Sequence, residues 1–136
     1  MGDFRKLAVW RRAQALAARV YLATAELPGD ERFGLTTQMR RAALSVTSNL
    51  AEGCGRRSDT ELWRFIRISQ GSLAELECQL LLATDLQYLR TTPVAALLLD
   101  IHEVRAMLDR LHAGLEARRK TRRPSDSRLR TKTLDS

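Results

Sequence analysis

Apolar side chains recur at alternating steps of three and four residues through four successive segments of this chain. The fourth segment is the most regular, because its apolar positions keep this rhythm from Val94 to Leu115 without a break. Such spacing places the side chains in one stripe along a helix, through which helices pack against one another. No segment alternates with the period of two that a strand needs. The sequence therefore predicts an all-α protein.

Turn and capping residues divide the helical pattern into four helices. Pro28 ends the first, Gly53 ends the second, and Pro93 opens the fourth. Ser58 and Glu61 form a capping box that begins the third helix. Because the connections are short, we predict an antiparallel up-down four-helix bundle in residues 1–117. Its helices are expected at about 4–27, 33–53, 59–89 and 94–120.

The helices carry more apolar residues than one packing stripe requires. A helix in a single bundle needs a stripe about 100° wide. The surplus residues are Trp10, Ala17 and Tyr21 in the first helix, Trp63, Leu81, Leu82 and Tyr88 in the third, and Leu98, Leu99 and Met107 in the fourth. They predict either a second buried face, and therefore self-association, or a wider core. The pattern alone favours neither alternative.

The formal charge of +7 is concentrated at the C-terminus. Residues 118–136 hold eight basic and two acidic side chains, a net charge of +6. We predict that this segment is a disordered basic tail, which binds anions nonspecifically or serves solubility. Its first basic residues are Arg118, Arg119, Lys120, Arg122 and Arg123.

Further arginines are expected to gather around the turn between the second and third helices. They are Arg40, Arg41, Arg56, Arg57, Arg64 and Arg67. Arginine binds phosphate in a bidentate manner and stacks on bases, so the cluster predicts a nucleic-acid-binding surface. Asp59 and Glu61 lie among these residues, and a solvated face of internal ion pairs is the alternative.

A polar stripe runs along the second helix beside its apolar seam. Ser and Asn are poor helix formers, so their repetition at helical spacing needs a tertiary or functional reason. The stripe contains Gln38, Arg41, Ser45, Asn49 and Glu52, and the third helix offers Arg64, Gly71, Ser72, Glu75 and Gln79 opposite it. The favoured interpretation is a hydrogen-bond network or subunit contact, with an Arg41–Glu75 or Arg64–Glu52 pair. A ligand site is the alternative, and a bulky neighbour is expected against Gly71.

Several classes of protein are excluded on residue grounds. His102 and His112 are ten residues apart, which is not the spacing of a helical metal pair. Cys54 and Cys78 have no evident catalytic base and are too few for a disulfide framework. We therefore expect no catalytic residues, no metal and no cofactor. No apolar run suits a membrane span or a signal peptide, so a cytoplasmic protein is expected.

Three elements of the sequence resemble a bacterial four-helix-bundle family. They are residues 34–53 (GLTTQMRRAALSVTSNLAEG), residues 4–10 (FRKLAVW) and residues 70–77 (QGSLAELE). In this order and spacing they are similar to the proteins encoded in 23S rRNA intervening sequences, over about residues 4–115. Thr47 departs from the family, which usually has Pro there, and Gln70 stands where a basic residue is frequent.

The resemblance implies a bundle that assembles into a homopentameric ring and a link to nucleic acid. The family is also similar to the accessory proteins of diversity-generating retroelements, which bind a reverse transcriptase and nucleic acid. We therefore expect a non-enzymatic oligomeric scaffold that binds nucleic acid, RNA rather than DNA, through its arginines and tail. The alternative is a protein-interaction module whose ring docks another protein without binding nucleic acid.

Overall fold

The computed structural model describes residues 2–134, with side chains described for residues 2–121. Four α-helices and two short 3₁₀ turns account for most of the described chain, and none of these residues forms a strand. The prediction of an all-α chain with four helices is therefore confirmed. The helices are α1 (Ala8–Thr24), α2 (Leu35–Cys54), α3 (Asp59–Asp85) and α4 (Thr91–Leu134), and the 3₁₀ turns are Phe4–Lys6 and Gly29–Glu31.

The helices pack in sequence order around a square. Each helix packs on the next along the chain, and α4 closes the bundle against α1. Charged pairs tie this last interface, since Arg12 pairs with Glu103 and Arg19 pairs with Asp100. The connections are short, so the topology is up-down-up-down, and the chain's first residues lie at the end of the bundle where α2 ends and α3 begins.

The core is formed by the apolar stripes of the helices, which the steps of three and four residues predicted. In α3 the whole seam is buried, and in α4 all of its members are buried except Leu111, which is partly buried. Full burial of a large aliphatic side chain stabilises the fold by about 1.5–3 kcal/mol. The buried seam residues of these two helices are Leu62, Ile66, Ser69, Leu73, Leu76, Leu80, Ala83, Val94, Leu97, Ile101, Val104, Leu108 and Leu115.

The helix ends differ by a few residues from the expected bounds. The first helix is interrupted at Leu7, whose backbone is extended between the Phe4–Lys6 turn and α1. The third helix ends at Asp85 because Gln87 adopts a left-handed φ of 62°. The amide of Tyr88 then donates to the carbonyl oxygen of Ala83 at 2.9 Å, as in a Schellman motif.

The fourth helix is assigned to Leu134, beyond the end at about residue 120 that the sequence indicated. The side chains of residues 122–134 and the whole of residues 135–136 lie outside the description. The division into a bundle and a disordered basic tail from residue 118 therefore stays a prediction.

Some of the surplus apolar residues are buried or partly buried, and others are exposed. Trp10, Trp63, Tyr88, Leu98 and Met107 pack partly buried against the core, and Ala17 is fully buried. Tyr21, Leu81, Leu82 and Leu99 are instead exposed. A wider core thus accounts for most of the surplus, while three leucines of α3 and α4 face solvent in the single chain. No helix in the described part of the chain is long and apolar enough to cross a membrane.

Candidate nucleic-acid interface

Basic side chains of α3, of α4, of the turn between α2 and α3 and of the first residues of the chain meet at one end of the bundle. We call this region, formed by residues 3–7, 52–68 and 112–121, the basic end. The late turns of α4 reach the start of α3 here, because Arg118 Nη1 lies 3.6 Å from Asp59 Oδ2. The first residues of the chain join them, since Asp3, Lys6, Leu7 and Cys54 line one cavity. The basic residues of this region are Arg5, Lys6, Arg56, Arg57, Arg64, Arg67, Arg118, Arg119 and Lys120.

The close approach of α2 and α3 at this end depends on Gly53. A Cβ atom at this position would lie 2.9 Å from both Leu62 Cδ1 and Phe65 Cβ, closer than carbon atoms can pack. Gly53 therefore allows the first turns of α3 to lie against the last turn of α2. This contact fixes where Phe65 stands relative to the turn.

A surface groove opens beside Phe65. It encloses about 420 Å³ and is lined by Arg56, Glu61, Arg64, Phe65 and Ile68. The guanidinium of Arg56 lies over the Phe65 ring, 5.2 Å from its centroid, and donates to Glu52 Oε1 at 2.6 Å. The groove thus combines a half-buried aromatic ring with two cationic walls.

Trp63, two residues before Phe65 on α3 and therefore on another face of the helix, forms a second aromatic and cationic cluster. The guanidinium carbons of Arg67 and Arg119 lie 5.0 and 4.3 Å from its ring centroid. His112 stacks on the same residue, with ring centroids 5.4 Å apart and an interplanar angle of 27°. Each exposed cation–π contact contributes about 0.5–1 kcal/mol. The cluster therefore fastens the late turns of α4 to α3 and presents two arginines together.

The N-terminus of α3 is already capped by its own residues. Ser58 Oγ accepts a hydrogen bond from the Glu61 amide at 3.2 Å, and the Ser58 hydroxyl lies 3.4 Å from Glu61 Oε2. Asp59 adds a second carboxylate in this first turn. An anion at this end would accordingly be bound by arginine side chains rather than by the helix terminus. Among the described side chains, Arg57 and Arg64 form no ion pair and are exposed.

Arg40 and Arg41 lie away from this group. They stand roughly 20 Å along α2 from its C-terminal residue, at 1.5 Å per residue. Arg40 donates through Nε to Thr24 Oγ1 at 2.9 Å and stacks over Tyr21 at 4.7 Å. The expectation that both gather at the turn was therefore wrong, and Arg40 instead fastens α2 to α1.

The polar stripe of α2 forms a small hydrogen-bond network with α3. The hydroxyl oxygens of Ser45 and Ser72 are 2.7 Å apart, and Asn49 Nδ2 donates to Ser45 Oγ at 3.0 Å. Ser69 adds a bond that the sequence reasoning missed, because its hydroxyl donates to the Val46 carbonyl oxygen at 2.9 Å. A buried serine within an otherwise apolar seam was the available signal for it.

Other members of the stripe stand apart from this network. Gln38 and Glu75 are exposed, and Gln79 is partly buried with its Oε1 unpaired among the described residues. Glu52 pairs with Arg56, and neither of the two expected pairs, Arg41–Glu75 or Arg64–Glu52, is present among the described side chains. The network is thus confined to the middle of the α2–α3 interface.

Gly71 has no close neighbour. Within the described chain no atom lies within 4 Å of the position its Cβ would occupy, and the residue is exposed. The expected bulky neighbour is absent, and the close approach occurs at Gly53 instead. The reason is the helical phase, since residue 71 faces outward while residue 53 faces α3. Whether Gly71 contacts another subunit stays a prediction.

Two titratable groups at the basic end have shifted pKa values. Burial raises the pKa of the Cys54 thiol. Hydrogen bonds from the Arg5 side chain and amide lower the pKa of Asp3.

In the described part of the chain, no group of three or more His, Cys, Asp or Glu side chains could hold a metal ion. Lys120 is exposed, and the side chains of Arg122 and Arg123 lie outside the described ones.

The match to a known protein family covers most of the bundle. The family model described as 23S rRNA-intervening sequence protein matches residues 5–110. This range includes α1, α2, α3 and α4 as far as residue 110, together with the groove at Phe65. It ends before Arg118 and Arg119. No curated protein matches the chain.

Proposed function

Since the chain belongs to the 23S rRNA-intervening sequence protein family, we propose that it is a non-enzymatic oligomeric scaffold that binds nucleic acid, RNA in preference to DNA. The observation that carries this proposal is the basic end. Arginines of the α2–α3 turn, of α3 and of α4 surround two aromatic side chains there, and Arg57 and Arg64 have no ion-pair partner among the described side chains. Arginine beside aromatic rings suits both phosphate and bases.

Oligomer formation supports this function through avidity. A weak basic surface that repeats in every subunit of a ring binds a long strand far more tightly than one copy does. Exposed Leu81, Leu82 and Leu99 are available for subunit contacts, since large exposed apolar groups mark interaction sites. We propose a homopentamer, with a solution mass near five times the 15.4 kDa of one chain by light scattering.

RNA affinity measured against salt concentration tests the proposal. In the double variant Arg57→Gln/Arg64→Gln we expect weaker binding and a smaller salt slope, by about 0.7 for each lost single-strand phosphate contact. The matched control is Arg32→Gln/Arg90→Gln, which removes the same charge at the opposite end of the bundle. A third variant, with the basic residues of 122–132 changed to Gln, separates the tail's nonspecific contribution.

Three outcomes would contradict the nucleic-acid function. The first is no binding by the natural protein at 50–100 mM salt. The second is an equal loss in both double variants, which would show a response to net charge alone. The third is complete loss of binding in the tail variant, which would assign binding to the tail and not to the bundle.

A protein-interaction module is the second candidate, and one specific observation favours it. Leu22 and Phe33 lie near the end of the bundle opposite the basic end and are 74% and 84% exposed. Large apolar side chains so open to solvent are typical of protein contacts. Capture of a partner protein that survives nuclease treatment, and that is lost in Leu22→Gln/Phe33→Gln, would support this candidate.

A further inference from the structure

We propose that the groove beside Phe65 holds one unpaired base of a single-stranded RNA, stacked against the Arg56–Phe65 pair. This inference rests on the proposed function and makes it more specific. It names the ligand as single-stranded RNA, or an unpaired stretch of RNA, rather than duplex.

The groove has the size and lining of a nucleotide site. Its volume of about 420 Å³ accommodates one base and its ribose, and Phe65 and Ile68 supply its apolar surface. Ile68 is 49% exposed, which leaves an apolar surface that a base could cover. A purely electrostatic phosphate site would not require such an apolar wall.

The stacking wall is held in place before any ligand arrives. Gly53 sets the position of Phe65 through the close packing of α2 on α3. The Arg56 guanidinium lies between the Phe65 ring, 5.2 Å from its centroid, and the Glu52 carboxylate, at 2.6 Å. The guanidinium group is planar and can itself stack on a third planar group. Bases stack on guanidinium planes and on aromatic rings in this way, and a wall ordered in advance lowers the entropic cost of binding.

Charge around the groove orients the nucleotide. Arg64 lines one wall, and exposed Arg57 lies in the adjoining turn, so phosphates are attracted to this side. Glu61 lines the groove as well and repels phosphate, while its carboxylate can accept hydrogen bonds from the N–H groups of a base edge. A carboxylate inside an otherwise basic site therefore favours a base there over a phosphate.

A base within a duplex cannot enter such a groove. Its faces are covered by the neighbouring bases and its edge is paired, so it would have to leave the stack at a cost of a few kcal/mol. Sequence-tolerant proteins that bind single strands combine a cationic surface with exposed stacking partners, as the basic end does. Duplex RNA would meet only the arginines.

The test compares a short single-stranded RNA with a duplex of the same length, by fluorescence anisotropy on the full-length protein. In Phe65→Leu we expect roughly tenfold weaker binding of the single strand, with duplex affinity changed less than twofold. The matched control is Phe33→Leu, because Arg32 also lies over Phe33, at 4.8 Å, but at the opposite end. This control should bind both RNAs as the natural protein does.

A second variant guards against a folding defect at Phe65. Arg56→Lys keeps the charge and removes the guanidinium plane, so it should also weaken single-strand binding selectively, while Arg32→Lys should not. An abasic strand with the same phosphates should bind the natural protein no better than it binds Phe65→Leu.

The outcomes separate this inference from the function on which it rests. The stacking site would be overturned, with RNA binding left intact, if the affinities for single strand and duplex fell equally. The same conclusion would follow if neither Phe65→Leu nor Arg56→Lys lost affinity for the single strand. Failure of the natural protein to bind any of the RNAs would instead overturn the proposed function itself.

Discussion

The two ends of the bundle are assembled from similar parts and differ in what their charges do. We call the end opposite the basic end, formed by residues 25–34 and 86–90, the far end. Each end has helix termini joined by a short turn, and each has an arginine over a phenylalanine, Arg32 on Phe33 and Arg56 on Phe65. At the far end the Glu31 carboxylate joins two turns of the fold, whereas at the basic end Arg57 and Arg64 are exposed and form no ion pair among the described side chains.

Both carboxylate oxygens of Glu31 are engaged in hydrogen bonds at the far end. One carboxylate oxygen accepts from the Leu35 amide at 3.1 Å and so caps α2. The other accepts from the Tyr88 hydroxyl at 3.3 Å, which links the two turns of this end. Burial and the nearby Glu31 carboxylate raise the pKa of Tyr88. A charged group that is fully engaged in the fold has little capacity left for a ligand, and this distinguishes Glu31 from Arg57 and Arg64.

The largest expected effect comes from filling the close contact at the basic end. Gly53→Ala forces Leu62 and Phe65 away from α2, and overpacking of this kind costs about 1–3 kcal/mol. The free energy of unfolding from urea denaturation measures the loss. Thiol labelling of Cys54, which is buried beside this contact, should become faster.

Gly71→Ala is the matched control for this change. Because the site is open and lies within a helix, the alanine should stabilise the chain by up to about 1 kcal/mol. Similar effects of both substitutions would mean that the basic end is not held by a close helix contact. Destabilisation by Gly71→Ala alone would point to a subunit contact at that face.

At the far end, Glu31→Ala removes the cap of α2 and the partner of Tyr88 together. We expect a loss of about 1–2 kcal/mol in the free energy of unfolding and no change in RNA affinity. The pKa of Tyr88, followed by ultraviolet absorbance, should fall toward its ordinary value. A parallel loss of RNA affinity would show that the two ends are not independent.

Glu77 lies between the ends and joins α3 to α4. Its carboxylate binds Arg105 Nη2 at 3.1 Å and His102 Nε2 at 3.1 Å, and the hydrogen bond from Arg105 is the main reason that its pKa is lowered from 4.5. A lowered pKa in the folded state means that this stabilisation is present above pH 4.5 and is lost as the pH falls through the folded value. Glu77→Gln should therefore be less stable by about 1 kcal/mol at pH 7 and equal to the natural protein in acid. A constant difference at all pH values would contradict this assignment.

The smallest effect is expected at the turn that ends α3. Gln87 has a φ of 62°, a conformation that costs little for glycine, so Gln87→Gly should raise the melting temperature slightly, for a gain of about 0.5 kcal/mol. Gln70→Gly is the control, because the same change within helix α3 should destabilise. A lower melting temperature for Gln87→Gly would show that the left-handed turn is not strained.

Sequence patterning was sufficient for the fold because packing periodicity is a local property. The seam of α3 was read from steps of three and four residues, and every member is buried. The capping box at Ser58 was equally legible, because its hydrogen bond to Glu61 spans only three residues. Both features depend on neighbours along the chain.

The candidate site was less predictable because it depends on which face of each helix meets another helix. Gly53 and Gly71 look alike in the sequence, and only the phase of α2 against α3 shows that the first is packed and the second is open. Arg40 was grouped with Arg56 through charge alone, although its partners, Tyr21 and Thr24, come from α1. Prediction of the groove at Phe65 would have required both the phase of α2 against α3 and the contacts between residues that are distant in the sequence.

The distribution of aromatic residues gives each end of the bundle its own optical signal. Trp10, which lies 4.9 Å from Phe4, and Trp63, between its two arginines, both lie toward the basic end. The two tyrosines, Tyr21 and Tyr88, lie toward the far end. Tryptophan emission and tyrosine absorbance therefore report on opposite halves of one small protein. Partial unfolding of either half, or a ligand that reaches only one of them, can be followed without attaching a label.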